Sequence, residues 1–321
     1  MHLHVDRGTT KSGLQPLLLL GLAASTFGVL TVIPLGATEP LAQRIAHTEL
    51  DKSAASSSHG GAGTRINQQL LDSNALGVNL NFLIRGRLLP GGGIGHHFHN
   101  TCEEMLFILD GEAEFTVDGH TALIKGPAGA PSRMGHSHAL YNPTTKPVEY
   151  LNFNVGAIKG HCDNFDLGDS RIGVPKDPIP VFMSARLDGS LLKPVPRFHG
   201  GEGTVKYRRL FDSDVFLTNW AYVDHLVIPI GGSDGKHWHG GVEEVYYVVN
   251  GSGRVVVDDE AAEIHTGDAV PVRLNEVHSF LSTGPADLEL MIFGISTQKN
   301  VLDVQLGTPE QPTWLQVSPK K

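Results

Sequence analysis

Gly95-His96-His97-Phe98-His99-Asn100-Thr101-Cys102-Glu103-Glu104 is the stretch on which the reading of this chain turns. A second version runs His237-Trp238-His239-Gly240-Gly241-Val242-Glu243-Glu244. In each, two histidines alternate, four residues intervene and a glutamate follows. A glycine, Gly111 or Gly251, comes seven residues later, and a further histidine, His138 or His278, closes the set. Each of these pairs is separated by 140 residues, as are Pro131 and Pro271, Arg133 and Arg273, Glu149 and Glu289, and Phe153 and Phe293. A register held without gaps over such a length marks a duplicated unit, here a whole domain rather than a solenoid repeat.

Around these motifs the chain reads as strands. Val78 to Arg85 alternates polar and apolar residues, Pro90-Gly91-Gly92-Gly93 is a turn, and Asp118-Gly119 is a two-residue hairpin signal. Short strands at regular spacing, with Gly, Pro and Asp turns and no helical periodicity, predict an all-β sandwich or barrel in each copy. The predicted order is a signal peptide or N-terminal anchor at 1–37, a flexible lead-in at 38–75, a first β-domain at 76–155, a connection at 156–213, a second β-domain at 214–297 and a polar tail at 298–321. The first segment has a basic start, an apolar run over 14–35 and small residues before a plausible cut after Ala37. That pattern predicts export, or membrane attachment if the segment is not cleaved. The lead-in assignment rests on the Ser, Ala and Gly content of Ser53 to Gly61.

Composition narrows the partners. The 321 residues carry a formal charge of −9 and no long Lys/Arg run, which excludes nucleic acid as the expected partner. The two cysteines, Cys102 and Cys162, are too few for a zinc–cysteine cluster. They either pair in an oxidising compartment or stay as free thiols.

The histidine and glutamate sets predict metal sites. Residues two apart on a strand share a face, so His97 and His99, or His237 and His239, aim into one interior. Glu104 or Glu244 returns on the next strand, and His138 or His278 comes from a distant one. Three imidazoles and a carboxylate suit a divalent first-row ion at about 2.0–2.2 Å and leave positions open for water, dioxygen or substrate. Iron or manganese fits best, copper, nickel and zinc also suit these donors, and the chain can hold up to two ions.

The pattern His-x-His-x4-Glu-x6-Gly, followed by a proline and a histidine, resembles the cupin superfamily, and its duplication resembles bicupins. The resemblance covers about half of the chain. It implies two tandem cupin barrels (double-stranded β-helix or jelly-roll) and the ligand sets His97, His99, Glu104, His138 and His237, His239, Glu244, His278. The chain departs from the family pattern between proline and last histidine: Pro131 to His138 has Gly135 four after the proline, and Pro271 to His278 has no glycine there.

Other matched residues carry expectations of their own. Arg133 and Arg273 either reach a pocket mouth and grip a substrate carboxylate, as candidate catalytic residues, or form surface ion pairs. Asn79, Asn81, Arg85, Arg87, Asn219 and His225 line either the lumen or the outside. Among the aromatic residues Trp220, Tyr222, Trp238, Tyr246 and Tyr247, most belong to a core, with Tyr246 and Phe280 the better pocket candidates by parity. His96, His136, Glu103 and Glu243 alternate away from the metal.

The resulting expectation is an exported metal-dependent enzyme, an oxidoreductase of dioxygenase type or a decarboxylase or other lyase. It would act on a small oxygenated molecule, with a homo-oligomer possible. The alternative is a non-catalytic metal- or sugar-binding bicupin of germin-like kind, with a storage scaffold less favoured. Oxalate enzymes of this family carry an arginine just before the first histidine pair, where this chain has Gly93-Ile94-Gly95 and Ser233-Asp234-Gly235.

Overall fold

The computed structural model describes residues 39–308 and 313–315. The expected signal or anchor at 1–37 lies outside them. No helix among the described residues is long and apolar enough to cross a membrane.

The chain forms two antiparallel β-sandwiches, as the alternating patterns require. In the first, a seven-stranded sheet runs in the order Ala55–Ser56, Arg65–Asp72, Leu80–Leu88, Val148–Gly156, Cys102–Asp110, Ala128–Ser132, Ala185–Arg186. It faces a five-stranded sheet of Phe165–Asp169, Gly93–Phe98, Ser137–Tyr141, Glu112–Val117 and His120–Lys125. The second sandwich repeats the plan. One sheet holds Lys193–Pro196, Thr204–Asp212, Trp220–Ile228, Leu288–Ser296, Val242–Asn250 and Ala269–Val272. The other holds Glu260–His265, Ser252–Val257, His278–Ser282, Ser233–Trp238, Val304–Leu306 and Thr313–Leu315.

Three segments differ from expectation. The lead-in is not a free linker. Arg65–Asp72 pairs with Leu80–Leu88 along its length, and Leu41, Leu50, Leu70 and Leu71 are buried. Its glycines serve close approach: a Cβ on Gly61 would lie 2.5 Å from the Gly93 carbonyl oxygen, and one on Gly95 only 1.9 Å from that of His59. The connection after residue 155 supplies Phe165–Asp169 to the first sandwich and Thr204–Asp212 to the second. The C-terminal tail returns Val304–Leu306 to the edge of the histidine strand Ser233–Trp238. Strands with polar stretches such as Asn67-Gln68-Gln69 and Lys206-Tyr207-Arg208-Arg209 lack the alternation that marks half-buried ones, which is why composition hid them.

A common core joins the sandwiches. Phe153 and Phe293, equivalent residues of the two copies, stack on each other with ring centroids 4.4 Å apart. Trp220 packs 5.0 Å from Phe153, and Met105, Phe107, Val245, Tyr247 and Met291 complete the apolar layer. Burial of this layer removes large apolar side chains from water at roughly 1.5–3 kcal/mol each.

Candidate metal centres

The two histidine strands carry the same irregularity. Their register with the facing strand shifts between Ile94 and His97 in one copy and between Asp234 and His237 in the other. A bulge re-aims side chains, and here it sets His97 directly opposite His138 and His237 opposite His278. His97, His99, Glu104 and His138 offer ligand atoms within 4.8 Å of one another, and so do His237, His239, Glu244 and His278. All eight are buried.

The imidazoles are held in the orientation a cation needs. His97 Nδ1 donates to the Gly95 carbonyl at 2.7 Å, and His237 Nδ1 to that of Gly235 at 2.9 Å. The Asp163 and Asp303 carbonyls accept from His99 Nδ1 and His239 Nδ1. Each ring thus turns its Nε2 inward. His99 Nε2 is buried without a hydrogen-bond partner, an arrangement that costs free energy unless a cation or water is taken up, and His239 Nε2 faces Glu244 Oε2 at 3.3 Å. The donor set fits a divalent transition metal, and both quartets can hold one.

Charges inside each cluster oppose burial. Burial disfavours the ionised Glu104, but the His138 hydrogen bond at 3.0 Å and the neighbouring imidazoles hold it well below the usual carboxylate range. Burial, with His138 alongside, pushes His97 down to about 2, so it stays neutral and free to ligate. In the second cluster burial works against a charged His239, yet Glu244 outweighs it and pushes the ring up to about 9. A bound cation would take the place of that proton.

The surroundings of the two quartets diverge. Asn152 and Asn154 each donate to Glu104 at 3.1 Å. A cavity of about 280 Å³ opens onto His97 and Glu104, walled by Phe82, Ile84 and Ile94, with Arg65, Tyr150 and Asn152 among its polar groups. In the second sandwich Ile292 and Gly294 stand where the asparagines are, and two phenols replace them. Tyr222 donates to Glu244 Oε1 at 2.6 Å and Tyr246 to Oε2 at 2.8 Å.

Several residues escaped the sequence reading. His59 stacks on His97, centroids 3.7 Å apart, with its Nδ1 2.6 Å from Asp166. His199 covers His237 at 4.0 Å and bonds Asp234 at 2.9 Å. His59 and His199 also lie 140 residues apart, as do Asp163 and Asp303, so the signal extended past the assumed domain edges. Arg65 was passed over because it falls in the supposed linker.

Other expectations are corrected or resolved. Arg133 is exposed beside His136, 3.4 Å from its ring, and Arg273 donates from Nε to the Ala75 carbonyl at 3.1 Å. Each follows the end of its strand, and neither is among the residues that line the first cavity. Asn79 and Asn219 are half-buried and tie the Ala157 and Thr297 carbonyls. Arg85 and Arg87 pair with Glu149, and His225 with Glu289, away from both quartets. Asn81 is buried against Asn154. Tyr246 and Phe280 stack at 4.1 Å beside the second quartet, while Trp220 and Tyr247 join the shared core. His96 and His136 bind Asp169 and Asp118, outside the quartets.

Cys102 and Cys162 form a disulfide. It ties the start of the glutamate strand to the segment that orients His99, and the Asn154 amide touches both sulfurs while holding Glu104. The linked cysteines are 60 residues apart. Replacing both by alanine is expected to cost about 2–4 kcal/mol through the freed unfolded chain. Denaturant titration would show this. A midpoint unchanged from the parent protein would refute it.

Comparison with known proteins places this geometry. The family profile described as "Cupin domain" matches residues 85–154 and 224–294. An oxalate-binding protein of Thermotoga maritima is 29% identical over 97 residues, which are 30% of this chain and 80% of that protein. Oxalate decarboxylase of Bacillus subtilis superposes with a TM-score of 0.54 at 17% identity, covering 78% of each chain. The Lactobacillus farciminis oxalate decarboxylase–formate complex gives 0.55 at 18% identity, covering 78% of this chain and 88% of that one. The coconut allergen cocosin gives 0.59 at 12%, covering 82% and 86%.

Proposed function

Since this chain belongs to the cupin superfamily as a bicupin, with a histidine–glutamate quartet in each domain, we propose that it is a metal-dependent enzyme whose first domain decarboxylates a small carboxylate. The observation that carries this reading is the first cavity, where His97 and Glu104 of the quartet line one space with Arg65. The Arg65 guanidinium reaches the Tyr150 hydroxyl at 2.9 Å through one nitrogen, while its Nε is buried without a partner. A planar donor fork with a free, sheltered edge is suited to a carboxylate. The second domain has Val205 at the equivalent position and offers no such cation there.

A divalent ion bound at the quartet would supply Lewis acidity toward a substrate oxygen. The chain's own groups do the rest. Arg65 orients the carboxylate, Asn152 and Asn154 fix Glu104 in place, and Phe82, Ile84 and Ile94 exclude water from the side where charge is redistributed. Manganese and iron are the favoured ions, in line with the Mn(II) centres named for the Bacillus subtilis oxalate decarboxylase. Arg65 also replaces, from a different strand, the arginine that the histidine strand lacks.

A second reading is a carboxylate-binding protein without turnover, favoured by the oxalate-binding relative. Metal-reconstituted protein, offered small mono- and dicarboxylates with carbon dioxide release and oxygen uptake followed, separates the two. Release with at least one acid is expected. Stoichiometric binding without release would establish the second reading instead. Arg65→Ala is expected to raise KM about 10- to 100-fold, the worth of one hydrogen-bonded charge, with Arg65→Lys intermediate. An unchanged KM would remove Arg65 from substrate binding. Export is proposed as well, supported by the disulfide, which belongs to oxidising compartments.

A further inference from the structure

The second quartet has a neighbour that the first lacks. Tyr246 follows Glu244 by two residues on the strand Val242–Asn250, so both side chains share the inward face. Its hydroxyl lies 2.8 Å from Glu244 Oε2 and 3.1 Å from His278 Nε2, and those two atoms are 3.1 Å apart. The three form a nearly equilateral triangle. In an octahedral ion with bonds of about 2.1 Å, donors at right angles lie about 3.0 Å apart. The triangle therefore has the size of one octahedral face. His278 Nδ1 donates to the Glu276 carbonyl at 3.0 Å, so in the neutral ring Nε2 is a lone pair. Carboxylate, imidazole and phenol oxygen thus converge with only the phenol proton between them, and His239 Nε2 lies 3.3 Å from the same Oε2. In the first domain Leu106 stands at this position and supplies no donor.

We propose that Tyr246 Oη is a fifth donor of the second-domain metal centre, making it a five-ligand site for a hard, highly charged cation such as ferric iron. This rests on reading the second quartet as metal ligands. On metal entry the phenol O–H and His239 Nε2–H bonds break, O–metal and N–metal bonds form, and both protons leave to solvent. Two anionic oxygens beside three imidazoles favour a harder ion than the single carboxylate of the first domain. The centre is also shut: His199 covers His237, Phe280 stacks on Tyr246, and Tyr222 holds the other oxygen of Glu244. Its role is thereby to hold an ion in a stable domain, leaving substrate to the first cavity.

The test loads metal-stripped full-length protein, carrying His97→Ala and His138→Ala so that only the second centre remains, with ferric iron. One iron per chain is expected, with a visible phenolate-to-iron charge-transfer band. Tyr246→Phe should abolish the band and weaken iron binding at least tenfold, whereas Tyr222→Phe should keep the band. If the double-alanine background does not fold, tyrosine-enhanced resonance Raman modes of iron-loaded wild type, lost in Tyr246→Phe, give the same reading. Iron bound without a band, or a band that survives Tyr246→Phe, would overturn the fifth ligand and leave the quartet standing. Failure to take up iron or any divalent ion would overturn the quartet itself.

Discussion

Full-length protein carrying Glu104→Gln is expected to hold one metal ion per chain where the parent holds two, and to lose turnover of its carboxylate substrate. Glu104 is the only carboxylate in the first quartet and is buried with its two oxygens already engaged by Asn152, Asn154 and His138. The amide keeps the volume but removes the charge that offsets a divalent ion among three imidazoles. It also presents donor hydrogens to groups that are donors themselves. Since residues behind the ligands alone are worth about 10- to 100-fold in affinity, loss of a ligand is expected to exceed that. Activity should fall on the order of a thousandfold if the ion provides several kcal/mol of charge stabilisation. Elemental analysis beside a rate measurement checks both. A variant that has lost one ion yet turns over normally would move the chemistry to the second domain.

The parts of this site that could be read in the sequence are those whose signal is local or repeated. His97-x-His99 and His237-x-His239 announce a shared strand face through spacing alone, and His138 and His278 become visible because they recur at the same interval. The all-β class follows from the same alternation. Residues supplied from outside the regular strands were harder. His59, Arg65 and Asp163 sit in stretches whose small or polar residues suggest linker, although His59 and Asp163 pack against the histidine strand and Arg65 pairs with Leu88 and reaches Tyr150. Repetition also misleads. Arg133 and Arg273 recur just past equivalent strand ends, yet neither is among the residues lining the first cavity. The difference between the domains, asparagines against phenols, is invisible to a motif, since it depends on which strand faces the glutamate.

The matched pair Glu103 and Glu243 shows what the duplication is for, and yields the largest expected change in stability. Alternation turned them away from the metal, and the structure shows where they point. Glu103, fully buried, accepts from the Leu217 and Thr218 backbone N–H groups at 2.9 and 2.7 Å and from the Thr218 hydroxyl at 2.7 Å. Glu243 accepts from the Val78 N–H at 2.9 Å, and Val78 is the counterpart of Thr218. Each domain thus clamps the other through the same residue, the self-complementary pattern of a twofold interface, around the stacked Phe153 and Phe293. Glu103→Ala leaves three donors beside a new void. Buried donors without partners cost about 1–3 kcal/mol each, so a loss of about 3 kcal/mol is expected, somewhat less for Glu243→Ala, and about 5 kcal/mol for both. At roughly 2 °C per kcal/mol for a chain of this size, the double variant should melt about 10 °C lower. Because the clamp bonds run to backbone groups, Thr218→Val should remove only the hydroxyl share, about 1 kcal/mol. Calorimetry on the four proteins decides the matter: a double variant that melts within a degree or two of the parent would show that the aromatic core alone joins the domains.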